Sequence, residues 1–241
     1  MTTTITGTSN SFFHRLSAFR ERFGTKGAIY KSLDVVLHKV FHASVHAVVW
    51  LDIKSLAELA SADPQFTFRF LTADEVEKHA QDPSFFLFPT LAEGVRSGRE
   101  LCFAALAGER LAAIACYSLD VATPDKTAGA TFSFPADVAY MSYGYTHPDF
   151  RGARLHGLVM GLALQELAKR GITKLVSLVS WSNGASLKSC WRLGYIHLGH
   201  MITFGGPKRA VGFYPKLAKQ LGVRFGRKAA QRVLANAPAV C

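Results

Sequence analysis

The sequence predicts a mixed α/β (α+β) domain behind a helical N-terminal extension, and three stretches carry that prediction. Residues 139–180 run strand, turn, long helix, strand, the pattern of a βαβ unit. Residues 100–106 and 110–119 are apolar runs on either side of Gly108-Glu109 and read as a hairpin. Residues 11–42 space apolar side chains as a helix does, with basic residues between them.

Taken in chain order, residues 11–23 put Phe12, Leu16, Phe19 and Phe23 on one helical face. A second helix over 28–42 does the same with Ile29, Leu33, Val36 or Leu37, and Val40, after a break at Gly24-Thr25-Lys26-Gly27. Such a stripe is expected to pack on its own domain, although a basic amphipathic helix can also lie on an anionic membrane or a partner. Residues 45–52 and 66–71 read as strands by their β-branched and aromatic content. Thr72 with Glu75 forms a capping box, so a helix starts at Ala73. Asp82-Pro83-Ser84 stops it, and residues 91–97 form a second short helix. Pro124, Gly129 and Pro135 make 122–137 a loop with a short strand at 131–134.

Strand 139–146 ends before Pro148, which has no N–H for a ladder. Alternation puts Met141, Tyr143 and Tyr145 on one face and Tyr140, Ser142 and Gly144 on the other. Residues 149–157 turn into a helix over 155–168, which Lys169, Arg170 and Gly171 close. Free backbone N–H groups at such a turn make an anion site suited to phosphate or pyrophosphate. Residues 172–180 form the second strand, and Asn183 caps a helix that begins at Gly184. Strands 196–204 and 211–214 pair around Gly205-Gly206-Pro207, and a basic helix over 216–235 follows, broken near residues 222–226.

HPDFRGARLHGLVMGLAL followed by SWSNGASLKSCWRLGY resembles the acyl-CoA-binding half of the GNAT superfamily of N-acetyltransferases. That family carries a strand, R-G-x-G-x-G/A, a helix, a strand, then N-x-x-(A/S)-x-x-x-Y-x-x-x-G-(F/Y). Pro148, Arg151, Gly152, Asn183, Ser186, Gly194 and Tyr195 fall on matching positions, and the resemblance spans residues 139–205. It implies a GNAT-like central mixed, mostly antiparallel sheet flanked by helices. It also implies that strand 139–146 splays from strand 174–180, leaving a cleft where pantetheine pairs with backbone near Thr146.

The activity implied is N-acyl transfer, N-acetyl transfer first, from acetyl-CoA or another acyl-CoA to a primary amine by direct attack in a ternary complex. Donor contacts would fall on Tyr145, Thr146, Arg151, Gly152, Ala153, Arg154, Leu155, His156, Gly157, Asn183 and Ser186. Four positions depart from the pattern. Arg154 and His156 replace turn glycines that let pyrophosphate approach the backbone, although Arg154 could itself bond a phosphate. Cys190 stands where the family has its tyrosine acid, and Tyr143 where many members have a glutamate base. Cys190 and Tyr143 are thus the candidate catalytic residues, although a free cysteine is more often inert core, and Tyr143 with Tyr145 could line the acceptor site or simply pack. His147 and His156 bracket the turn as solvated side chains or as a base.

A chain of 241 residues, 49% hydrophobic, can bury a full core. Cys102, Cys116, Cys190 and Cys241 show no metal spacing, nor do the nine histidines, so no metal is expected. Reduced-type cysteine usage, an N-terminus without signal-peptide pattern and the lack of a transmembrane segment point to a cytoplasmic location. Charge is uneven. Residues 1–42 hold six Lys/Arg against two acids, residues 207–241 eight against none, and the body fourteen against fifteen. The expected division is therefore 1–44 as a basic helical extension, 45–215 as the acyltransferase domain and 216–241 as a basic tail. The acceptor is a small-molecule or protein amine. An acidic carrier protein as acyl donor in place of CoA, or an anionic surface, suits the basic termini, and no specific nucleic-acid motif is present. The contrasting expectation is a non-catalytic scaffold of the same fold that binds membrane or nucleic acid through those termini.

Overall fold

The computed structural model describes residues 9–56, 59, 61–85, 87–88, 90–122, 132–205 and 211–225, with side chains of the first helix from Thr25 onward. That helix, α1 (Ser9–Phe41), is continuous, so the break expected at residues 24–27 does not occur. A helix-interior glycine costs only about 1 kcal/mol, which flanking turns can absorb. The side chains of Phe12, Leu16, Phe19 and Phe23 lie outside the described residues. The remaining elements follow the expected order: β1 (Ala43–Asp52), β2 (Thr67–Phe70), α2 (Ala73–Ala80), α3 (Leu91–Arg96), β3 (Glu100–Ala107) and β4 (Arg110–Leu119). Then come β5 (Val121–Ala122), β6 (Phe132–Ser133), β7 (Val138–Thr146), α4 (Leu155–Ala168), β8 (Lys174–Ser180) and α5 (Gly184–Arg192). The chain closes with β9 (Ile196–Phe204), β10 (Val211–Phe213), α6 (Lys216–Gln220) and β11 (Arg224–Phe225).

Local signals account for several of these boundaries. Thr72 accepts from the Glu75 N–H while the Glu75 carboxylate accepts from the Thr72 N–H, the reciprocal capping box that starts α2. Asn183 Oδ1 accepts from the Ser186 N–H at 3.2 Å and starts α5. The helix expected over 216–235 stops at Gln220, because Gly222 turns left-handed and Arg224–Phe225 pair with β6. Residues 226–235 lie outside the described residues, as do Gly206 and Pro207 of the expected turn.

Among the described residues, eight strands form one sheet in the order β10-β9-β1-β8-β7-β4-β3-β2, and β5, β6 and β11 form a second, small one. Every pairing is antiparallel except β7 with β8. The N-terminal strand β1 lies between β8 and β9, in the middle of the sheet. Helix α4 covers one face, over a core of Leu155, Val159, Leu164, Ala113, Ala115, Tyr117, Met141 and Leu175. On the other face, α2 and α3 cover Cys102, Ala104, Ile114 and Cys116, while the small sheet covers Tyr140, Val176 and Trp50. Cys102, Cys116 and Cys190 are buried free thiols. No helix of the described residues is long and apolar enough to cross a membrane.

The apolar stripe of α1 overturns the expectation that it packs on its own domain. Ile29, Leu33, Val36 and Val40 are 47–64% exposed. The helix is instead fastened by Asp34, whose carboxylate accepts from Trp181 Nε1 at 3.0 Å, Ser182 Oγ at 3.0 Å, Ser180 Oγ at 3.3 Å and Lys31 Nζ at 3.0 Å. Tyr30 meets Trp181 edge-on with ring centroids 5.5 Å apart.

Candidate active site

Strands β7 and β8 pair only from Val138–Lys174 to Met141–Ser177. Ser177 Oγ donates to the Met141 carbonyl at 3.1 Å and pins the last rung. Beyond it β7 stays bonded to β4 as far as Thr146, and β8 stays bonded to β1 as far as Ser180. Two strands held by opposite neighbours must diverge, and a V-shaped cleft opens between residues 142–146 and 178–180. The β7 backbone that faces this cleft has unused hydrogen-bonding capacity, the requirement for taking up an extended ligand.

A bulge at Ser142 directs the side chains. Cys116 opposes Tyr143 while the next β4 residue, Tyr117, opposes Met141, so Ser142 is the extra residue. Its hydroxyl donates to the Cys116 carbonyl at 3.2 Å. One extra residue reverses alternation, and this corrects the expectation that Met141, Tyr143 and Tyr145 share a face. Met141 lies on the α4 side. Tyr143 and Tyr145 lie on the α2/α3 side. There they stack on each other at 6.3 Å, with Phe88 edge-on to Tyr143 and Phe85 edge-on to Tyr145. The cleft therefore has an aromatic wall on the side away from α4.

The open end of the cleft meets the N-terminus of α4. The chain leaves β7 through His147, whose Nδ1 accepts from the Asp149 N–H at 3.2 Å, so this histidine caps the turn. Gly152 and Arg154 both take positive φ, 95° and 57°. Arg154 thus keeps the left-handed backbone that a glycine would supply there, at a cost of about 1 kcal/mol. It is the N-cap of α4 and offers no side-chain bond to the helix, so the first N–H groups of α4 point to the cleft mouth without a protein cap. Thr146 Oγ1, on the α4 side, is buried without a hydrogen-bond partner. Arg151 lies exposed beside Tyr145, its Nη2 3.5 Å from the phenol oxygen and its guanidinium 6.0 Å from the ring centre.

His156 is the second residue of α4, and its ring packs on Gly144, where a Cβ would come within 2.9 Å of His156 Cε1 and 2.7 Å of Met141 Cε. Burial holds its pKa below the ordinary value, so the imidazole is neutral at physiological pH. This corrects its reading as a solvated turn side chain. Gly157, Ala153 and Gly152 add backbone without bulk to the same turn.

Cys190 is buried among Leu193, Tyr195 and α4, and burial pushes its thiol up to about 12. Tyr117 and Tyr195 stand near it, each hydroxyl buried without a partner, and burial raises both pKa values. The cleft groups expected from sequence thus divide. Thr146, Arg151 to Arg154, His156 and Gly157 lie at the cleft mouth, Leu155 brings only its backbone there because its side chain is core, Asn183 and Ser186 cap the neighbouring helix, and Tyr143 and Tyr145 stack on the far side. Three side chains went unread: Ser142, Asp34 and Glu100. Glu100 lies under α3, with Oε2 buried and unpartnered, and Gly94 leaves room for its side chain. Its only signal in sequence is a lone acid opening an apolar strand. Among the described residues, no three His, Cys, Asp or Glu side chains group as a metal site.

No protein-family model matches this sequence, and no curated protein matches it. Among solved structures, it is similar to a putative acetyltransferase of the GNAT family from Novosphingobium aromaticivorans, at 18% identity and a TM-score of 0.46 over 66% of this chain and 62% of that one. A GNAT-family acetyltransferase from Colwellia psychrerythraea gives 14% and 0.47 over 66% and 55%. A GCN5-related N-acetyltransferase from Kribbella flavida gives 15% and 0.47 over 69% and 60%. The chain spans less than two thirds of each of these. The mixed, mostly antiparallel sheet flanked by helices, with β7 splaying from β8, is the GNAT-like fold that the sequence resemblance implied.

Proposed function

We propose that the protein is an N-acyltransferase that moves an acyl group from acyl-CoA, acetyl-CoA in the simplest case, to a primary amine. One observation carries the reading: β7 and β8 separate after Met141 and Ser177, and the gap ends at the uncapped N-terminus of α4. A phosphopantetheine arm has the matching shape, an extended amide-bearing chain that ends in phosphate. Its amides would pair with the open edge of β7 and its phosphates with the α4 N–H groups and Arg151 or Arg154. The orphaned Thr146 hydroxyl supports this fit, because a bound donor would supply the partner that it lacks. The His156 ring lies on the α4 side under Gly144, leaving the β7 edge itself open.

With the donor on the α4 side, the acceptor enters past Tyr143, Tyr145, Phe85 and Phe88. That wall suits an amine carried on an apolar or aromatic body. The neutral amine attacks the thioester carbonyl, the C–N bond forms, and the C–S bond breaks as CoA thiolate leaves. Position 143 has a phenol rather than a carboxylate, so we assign removal of the amine proton to water in the cleft. Cys190, held up near 12, gives up its proton poorly, and the return of a proton to the thiolate is assigned to solvent.

Thermal unfolding with and without millimolar CoA or acetyl-CoA tests the reading. A ligand that binds only the native state should raise the midpoint by several degrees, and Arg151→Ala should shrink the rise. Wild type that melts unchanged in both ligands would sink the proposal. Release of CoA thiol on adding aromatic or apolar primary amines would then identify the acceptor.

A further inference from the structure

In an ordinary surface helix the apolar stripe faces the core and the polar side faces water. α1 is mounted the other way round. Towards the domain it turns Ala28, which is buried, and Asp34 with its bonds to Ser180, Trp181 and Ser182. Val35 and Leu37 are half-buried at the sides. Outward it turns Ile29, Leu33, Val36 and Val40 in one row, 47–64% exposed, while Tyr30, one turn before Asp34, rests its ring edge-on against Trp181. The Asp34 clamp fixes the rotation, so the row cannot roll inward without breaking those bonds. Phe204, the cross-strand partner of Ala43 just after the helix, and its neighbour Phe213 are exposed as well. A row this long, rimmed by polar residues, marks an interaction surface.

Charge selects what covers it. Residues 1–42 carry six Lys/Arg against two acids, and the chain as a whole carries +11. A second copy would bring the same positive sign against this face, whereas an anionic bilayer offers both hydrocarbon for the row and negative headgroups for its basic flanks. Nucleic acid would satisfy the charge and leave the apolar row in water. We infer that α1 is an interface-lying helix that docks the domain on anionic lipid membranes through Ile29, Leu33, Val36 and Val40. The helix does not span the bilayer. Its apolar row lies at headgroup depth while Asp34 keeps it tied to the end of β8, at the wall of the cleft.

The test is co-sedimentation of the full chain with vesicles of phosphatidylglycerol and phosphatidylcholine, and with phosphatidylcholine alone, at low and physiological salt. Binding is expected to the anionic vesicles, to weaken with salt, and to fall at least tenfold in a Leu33→Asn/Val36→Asn double variant. Both positions are exposed, so the variant should melt as wild type does, and its response to CoA should be unchanged, which separates this inference from the donor-site reading. Three results would overturn it. They are wild type that ignores anionic vesicles at low salt, a variant that binds them equally well, and a lipid-free dimer that the same substitutions dissolve.

Discussion

Gly144 on β7 and His156 on α4 are fitted to each other, because any side chain at 144 would enter the space that the imidazole fills. Gly144 has no positive φ, so alanine there is acceptable to the backbone and only the neighbours object. Gly144→Ala should lower stability by about 1–3 kcal/mol through overpacking. Chemical denaturation would measure it, and His156→Ala in the same chain should recover most of the loss. Additive losses in the double variant would mean that the two sites do not share that space.

Arg154 offers a backbone test. Arg154→Gly should stay within about 1 kcal/mol of wild type, since relief of left-handed strain is offset by a freer unfolded chain. Arg154→Val should lose a further 1–2 kcal/mol or so, since a β-branched residue tolerates this φ poorly. If backbone N–H groups are the main phosphate ligands, the glycine variant also keeps its melting-point rise with CoA.

The carboxylate of Asp34 should matter more than its position on a surface helix suggests. Burial alone would raise its pKa, but Lys31, Ser182 and Trp181 together hold it below the ordinary value. A depressed folded pKa gives stability that is fully present above the unfolded value, near pH 4, and is lost as pH falls through the folded one. Asp34→Ala should therefore cost about 1–3 kcal/mol at pH 7. The gap to wild type should narrow at pH 3, and protease should cut α1 sooner in the variant.

Glu100 has the opposite sign. Burial raises its pKa above the ordinary value, only partly offset by Ser118. Below the unfolded value the acid is protonated in both states; as pH rises towards the folded value, ionisation begins to favour the unfolded chain. Glu100→Gln should melt higher than wild type at pH 7.5 and show little advantage at pH 4. A variant less stable at pH 7.5 yet unchanged at pH 4 would mean that the ionised carboxylate is held by a bond that glutamine cannot make.

Legibility followed the range of the forces involved. α2 and α5 could be read because Thr72 with Glu75 and Asn183 with Ser186 act within one turn. α4 could be read from its turn and its closing Gly171, and its start and end fall where the sequence places them. The bulge at Ser142 could not, because an extra residue in a strand has no marker when its neighbours are apolar on both sides. That one residue reversed the face of Tyr143 and with it the side on which the aromatic wall stands. The outward stripe of α1 was equally hidden. Periodicity shows that a helix has an apolar face, while the Asp34 contacts that set its direction join residues from opposite ends of the chain.

The place of β1 has a consequence for how the chain becomes a sheet. Residues 43–52 are made early, yet their hydrogen-bond partners are residues 174–180 and 196–204. On the ribosome this strand must wait, apolar and with both edges open, until most of the chain has emerged. Such distant pairing belongs to slow, late-committing folders, exposed to misassociation in the interval. A nascent chain arrested before residue 174 should hold β1 unprotected from hydrogen exchange, and its amides should close only after those of β2, β3, β4 and β7.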